Sequence, residues 1–148
     1  MKYITGIHAL NLNCDLDTCG DWHQSGIQWE KPTMMESDGS IFGDYGLEYN
    51  KKIPCHEELY TTANHIRALL DLLYVGNFGY AQGMNDDFIC DEKYDQEVFD
   101  KVILLKNQPN WPDIDYFMVY EYREKWLDYK KMNGIKTLFP ENNSIKNK

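Results

Sequence analysis

No apolar run in this 148-residue chain approaches the roughly 20 residues that a membrane span needs, so a membrane-embedded role is not expected. Basic side chains are scarce as well. Only 15 Lys and Arg stand against 24 Asp and Glu, a net charge of −9, and bulk binding to phosphate backbones requires the opposite balance. Neither G-x-x-x-x-G-K-[ST] nor G-x-G-x-x-G occurs, which removes the common nucleotide cradles. There is no internal repeat and no extended low-complexity segment, so a solenoid is excluded. The opening MKYITGIHALNLNCDL lacks a long apolar core and a small-residue cleavage site, and is read as no secretion signal. These absences leave an acidic domain, expected in the cytoplasm, of a size that supports one real core.

The pattern changes character once along the chain. Up to about residue 55 it reads as extended segments and loops. Within Lys2 to Leu12, Ile4, His8, Leu10 and Leu12 share a face at period two, and Ile27 to Trp29 and Ile41 to Tyr49 are further strand candidates. From about residue 59 the period becomes helical. Thr61 or Thr62 is positioned to cap a helix in which Ala63, Ile66, Leu69, Leu70 and Leu73 form one face, with Gly76 as the stop. A second helix is expected from Asp95 as cap through Leu105, and a third from Trp111-Pro112 to Asn133-Gly134. The expected architecture is α+β: a small irregular N-terminal sheet packed with three helices near 61–75, 95–106 and 112–132. Residues 1–134 form the domain, and 135–148 a basic, poorly ordered tail.

Charge and aromatics point to a partner surface. Asn85 to Asp100 contains seven acids against Lys93, a net of −6, whereas Lys130 to Lys148 contains five lysines against Glu141, a net of +4. Tyr116, Phe117, Tyr120, Tyr122, Trp126 and Tyr129 crowd the third helix. One buried stripe cannot hold them all, and surface Tyr and Trp favour protein interfaces. Base stacking by the same rings normally needs a basic groove, and here Glu121, Glu124 and Asp128 are interleaved. The reading is therefore a protein partner, with Asp86, Asp87, Asp91 and Glu92 steering it and Tyr122 and Trp126 anchoring it.

The segment Cys14 to His23 offers a competing enzyme reading. Cys14, Cys19 and His23 with the later Cys55 could supply four zinc ligands, and Asp15, Asp17 and Asp21 add hard ligands suited to a metal-dependent hydrolase. No tight C-x-x-C knuckle is present, and the second half of a hydrolase ligand set is missing. Cys14, Cys19 or Cys55 could also pair with a histidine as a nucleophile. The spacing favours no metal and no cofactor, and a reducing compartment favours thiols over a disulfide.

One stretch carries a resemblance. Ala63-Asn-His-Ile-Arg67-Ala-Leu-Leu-Asp71-Leu-Leu is similar, over about eleven residues, to a segment of AbiEi-type antitoxins, which accompany nucleotidyltransferase toxins in type IV toxin–antitoxin operons. The order of Thr-Gly-Ile-His-Ala-Leu-Asn-Leu, Cys-Gly-Asp-Trp-His and this helix also resembles small bacterial proteins encoded beside such toxins. The winged-helix domain that opens AbiEi-type proteins is not identified in this chain. The resemblance implies an accessory or antitoxin role, without catalysis, toward a nucleotidyltransferase toxin.

Overall fold

The computed structural model describes residues 1–21 and 26–136. Four short strands form one mixed sheet in the order β2-β1-β4-β3: β1 (Lys2–Ile4), β2 (Met34–Glu36), β3 (Leu47–Lys51) and β4 (Tyr60–Ala63). β1 runs antiparallel to β2 and parallel to β4, and β3 runs antiparallel to β4 with a register shift between Glu48 and Lys51. Six α-helices are described: α1 (Gly6–Leu10), α2 (His65–Val75), α3 (Phe78–Ala81), α4 (Asp95–Val102), α5 (Trp111–Tyr122) and α6 (Glu124–Met132). The α+β expectation is met, with more helical pieces than the pattern predicts.

The differences have local causes. The period-two stretch expected as a strand over 2–12 pairs only as far as Ile4, then turns into α1, because His8, Ala9 and Leu10 are all buried and a helix places them against α2. Ile27 to Trp29 forms no strand. Thr61 and Thr62 belong to β4, and the cap of α2 is Asn64, whose side chain accepts from the Arg67 amide at 2.8 Å. Asp95 is the first residue of α4, not its cap. The third helix starts at Trp111-Pro112 as expected, but breaks at Arg123, which takes φ 58° between α5 and α6. Of the expected tail, Ile135 packs against the core, and 137–148 lies outside the described residues.

Helix α2 is the axis of the molecule. Every residue from His65 to Leu73 is buried, because α2 contacts β4, α1, α3, α4 and a wide turn at Met84–Ile89. Its apolar residues Ile66, Leu69, Leu70 and Leu73 join Met84, Val98, Val102, Ile114 and Met118 in one core. Burial all round forces the polar residues of α2 to find partners inside.

Arg67 and Asp71 meet that requirement fully. Arg67 Nε donates to Asp71 Oδ1 at 3.1 Å, Nη1 to the carbonyls of Gly43 and Tyr45 at 2.9 and 2.6 Å, and Nη2 to Tyr3 Oη and Ser40 Oγ at 2.8 and 3.2 Å. All five guanidinium N–H groups are thereby used. Asp71 Oδ2 accepts from Tyr3 Oη and Thr5 Oγ1, each at 2.7 Å. Its own burial, and then Asp71, push the Tyr3 phenol well above its usual range. Gly46 lets the 40–46 turn close on this network: it sits at φ +74°, and a Cβ there would lie 2.7 Å from Arg67 Cβ.

A second buried ion pair fastens the helical hairpin. Lys130 Nζ donates to Asp115 Oδ2 at 2.7 Å, and Trp126 Nε1 donates to Asp115 Oδ1 at 2.8 Å. Around them Phe99 meets Tyr122, Trp126 and Tyr129 with ring centroids 4.9, 5.3 and 5.3 Å apart.

Candidate functional site

The acidic segment and α5 meet at one surface. After Gly83 the chain winds as a π-helical turn, in which the amides of Phe88 and Cys90 reach back five residues to Gly83 and Asn85, each at 3.0 Å. Such turns are rare and recur at functional sites. Glu121 holds this one, its carboxylate accepting from the Gly83 and Asn85 amides at 3.1 Å each, while Asn85 Nδ2 donates to the Glu121 carbonyl. Asp86 and Asp87 project outward from the turn. They line a polar cleft of about 410 Å³ together with Gln82, Glu121, Arg123 and Lys125. Gln82 and Tyr120 also border an apolar groove of about 430 Å³, completed by Phe78, Gly79, Tyr116 and Phe117. The aromatic groove and the charged cleft, with Asp86 and Asp87 on its exposed side, are therefore continuous.

Of the expected partner residues, Asp86 and Asp87 occupy this face. Asp91 and Glu92 are engaged within the chain: Asp91 caps the next turn by accepting from the Lys93 amide at 3.0 Å, and Glu92 pairs with Lys125 at 3.0 Å. Tyr122 and Trp126 are not surface anchors, a correction to the sequence reading. Trp126 is fully buried and Tyr122 nearly so, because both fall in the aromatic cluster around Phe99. Burial and the neighbouring Asp95, Glu121 and Asp86 push the Tyr122 phenol far above its ordinary value. On α5 the exposed rings are Tyr116 and Tyr120, at 60% and 52% exposure. Helical spacing holds the signal for them: Ile114, Met118 and Tyr122 repeat at i+4 on the buried stripe, and Tyr116 and Tyr120 repeat at i+4 on another face. Arg67 and Asp71, the residues of the resemblance, are buried in the core.

The proposed metal set does not assemble. Cys19 is joined to Cys90 in a disulfide, which corrects the expectation of free thiols and removes its sulfur as a ligand. The physical reason lies in the fold: the Cys19 and Gly20 amides both donate to the Phe88 carbonyl at 2.9 Å, which holds the two loops side by side. Cys55 is an exposed free thiol on the β3–β4 connection, and His23 lies outside the described residues. Among the described residues no group of three or more His, Cys, Asp or Glu is arranged to hold a metal ion.

The structure instead pairs Cys14 with a histidine that spacing did not single out. Cys14 Sγ is 3.5 Å from Thr18 Oγ1, which is 2.6 Å from His65 Nδ1. His65 Nε2 lies 2.6 Å from the Leu12 carbonyl, an acceptor only, so Nε2 carries a proton. Nδ1 thus faces the thiol and the hydroxyl. Gly20 makes room for the ring: a Cβ there would come 2.7 Å from His65 Cε1. Burial opposes ionisation of Cys14, but its hydrogen bonds to His65 and Thr18 outweigh burial and hold the thiol below its ordinary range. Burial likewise disfavours charge on His65, and Cys14 more than reverses this, raising the imidazole. The chain matches no family model, no curated protein and no solved structure.

Proposed function

We propose that this chain is a non-catalytic protein-binding module whose partner seats an apolar, basic-rimmed surface on the groove of α3 and α5. The observation that carries the reading is the exposed pair Tyr116 and Tyr120 beside Asp86 and Asp87, an aromatic platform next to negative charge. Aromatic anchors supply affinity, and Asp86 and Asp87 supply encounter rate and selectivity. Within the resemblance to AbiEi-type antitoxins, the partner we infer is a nucleotidyltransferase toxin, neutralised in the cytoplasm. The burial of Arg67 and Asp71 makes that segment a support of the fold, so contact falls to α5 and the π-helical turn.

Co-expression with the neighbouring toxin gene tests this directly. Growth rescue with a co-purifying complex is expected, together with loss of the complex on Tyr116→Ala plus Tyr120→Ala at unchanged stability. Rescue without a complex would remove the interface mechanism, and no rescue would remove the antitoxin role. No described helix is long and apolar enough to cross a membrane. In a reducing cytoplasm the exposed Cys19–Cys90 bond would cycle with the thiol pool. Full oxidation in cells whose thiols are blocked at lysis would relocate the protein to an oxidising compartment.

A further inference from the structure

We propose that Cys14 is a nucleophilic thiol activated by His65, and that it forms mixed disulfides with small anionic disulfides admitted by the cleft beside it. This site lies away from the α3–α5 groove and does not depend on the partner reading.

Three observations meet here. The first is the chain of contacts from Cys14 through Thr18 to His65 and on to the Leu12 carbonyl, a thiol, a base and a group that orients the base. Cys14 is half-buried, so the sulfur is sheltered but reachable. The second is the surrounding charge. Lys51 is close enough to Cys14 for the thiolate to help hold its ammonium protonated, while its pairs with Glu48 and Asp15, at 3.0 and 3.8 Å, keep it in place. Glu48 also faces His65 and favours its charged form. Among the described residues the charged neighbours of the pair include Lys51, Glu48 and Asp15, and the positive charge of Lys51 favours a thiolate. The third is a cleft of about 490 Å³ lined by Asn11, Leu12, Asn13, Asn50, Lys51 and Lys52, which ends one residue before Cys14 and shares Leu12 and Lys51 with the surroundings of the pair. Amide side chains and two ammonium groups suit carboxylates and peptide groups, and its lining contains no acid.

The step balances without any added oxidant. The Cys14 thiolate attacks one sulfur of the incoming disulfide, the new S–S bond forms as the old one breaks, and the second sulfur leaves as a thiolate. The proton at His65 Nδ1 is available to that leaving group. The protein thiol is oxidised, and half of the small disulfide is reduced.

Peptide-resolved mass spectrometry on the full chain, kept free of reductant, provides the test. With iodoacetamide at pH 6.5, Cys14 is expected to label about tenfold faster than the exposed Cys55, because a lowered thiol pKa gives far more thiolate there. His65→Gln should cancel this advantage. Thr18→Ala, a milder change, should reduce it if the histidine variant fails to fold. Oxidised glutathione should modify Cys14 several-fold faster than the neutral 2-hydroxyethyl disulfide, with the preference lost in Lys51→Gln plus Lys52→Gln. Labelling of Cys14 no faster than Cys55 would overturn the activated thiol. Equal rates with the two disulfides would overturn the assignment to anionic ligands.

Discussion

Replacing Arg67 by Met is the sharpest test of how this fold is held together. The substitution keeps a long apolar stem inside the core and removes only the guanidinium. Asp71 Oδ1 then loses its cation, and the Gly43 and Tyr45 carbonyls lose their donors. The stacking of the guanidinium on Tyr3 and Phe42, with centroids 4.8 and 5.5 Å away, disappears too. Breaking a buried ion pair from one side costs about 3–5 kcal/mol, since the remaining charge stays desolvated. Against a typical total of about 5–15 kcal/mol this is a large fraction. Asp71→Leu should cost a comparable amount, and the double variant less than the sum by roughly 1–3 kcal/mol, because no orphaned charge remains. Urea unfolding followed by tryptophan fluorescence gives each value, the buried Trp111 and Trp126 serving as reporters. Arg67→Lys separates core from contact: it preserves the charge but not the five-donor fork, and should still destabilise markedly. A loss below about 1 kcal/mol for Arg67→Met, beneath the usual range for buried pairs, would refute the account.

Other outcomes follow from the same contacts. Trp126→Ala should cost about 3–5 kcal/mol as a core cavity, with any loss of partner binding tracking unfolding in a thermal melt. Leu70→Ala, on the buried spine of α2, should cost about 2–5 kcal/mol by the same assay. Cys19→Ser opens a loop with a sequence separation of 71, and chain entropy sets the stabilisation lost at about 4 kcal/mol. Dithiothreitol should lower the melting temperature of the unmodified chain and leave the Cys19→Ser variant unmoved. Reversing Asp86 and Asp87 to Lys should slow partner association and flatten its salt dependence in stopped-flow or surface-binding kinetics, with stability unchanged.

Sequence periodicity carried the helical half of the molecule well. The Ile66 to Leu73 face, the Pro112 start and the Gly76 and Gly134 stops all express local rules that tertiary structure leaves intact, whereas Ala63, expected on that face, ends β4. The N-terminal half was less legible, because its strands are three to five residues long and their pairing joins distant segments: Tyr3 with Met35, Ile4 with Thr62. The segment over residues 6–10 shows the conflict plainly, since its apolar residues satisfy both periods and only packing against α2 decides. At the candidate sites the difficulty is different in kind. Cys14 and His65 are 51 positions apart, and Cys19 and Cys90 are 71 apart, so neither pairing leaves a mark in local spacing. The burial of Arg67 and Asp71 has no signal in the sequence, since most amphipathic helices expose such residues, whereas α2 has no exposed side along His65–Leu73.

The break at Arg123 has a consequence in time as well as in space. A continuous helix would separate positions 115 and 130 by about 22 Å at 1.5 Å per residue, yet the turn brings their side chains to 2.7 Å. Trp126 and Lys130, both in α6, are therefore among the last parts of the core to be synthesised, while the sheet and α2 are complete by residue 75. On the ribosome the N-terminal half can condense first. Asp115 and the rings around Phe99 remain open until α6 has cleared the exit tunnel and folded back on them.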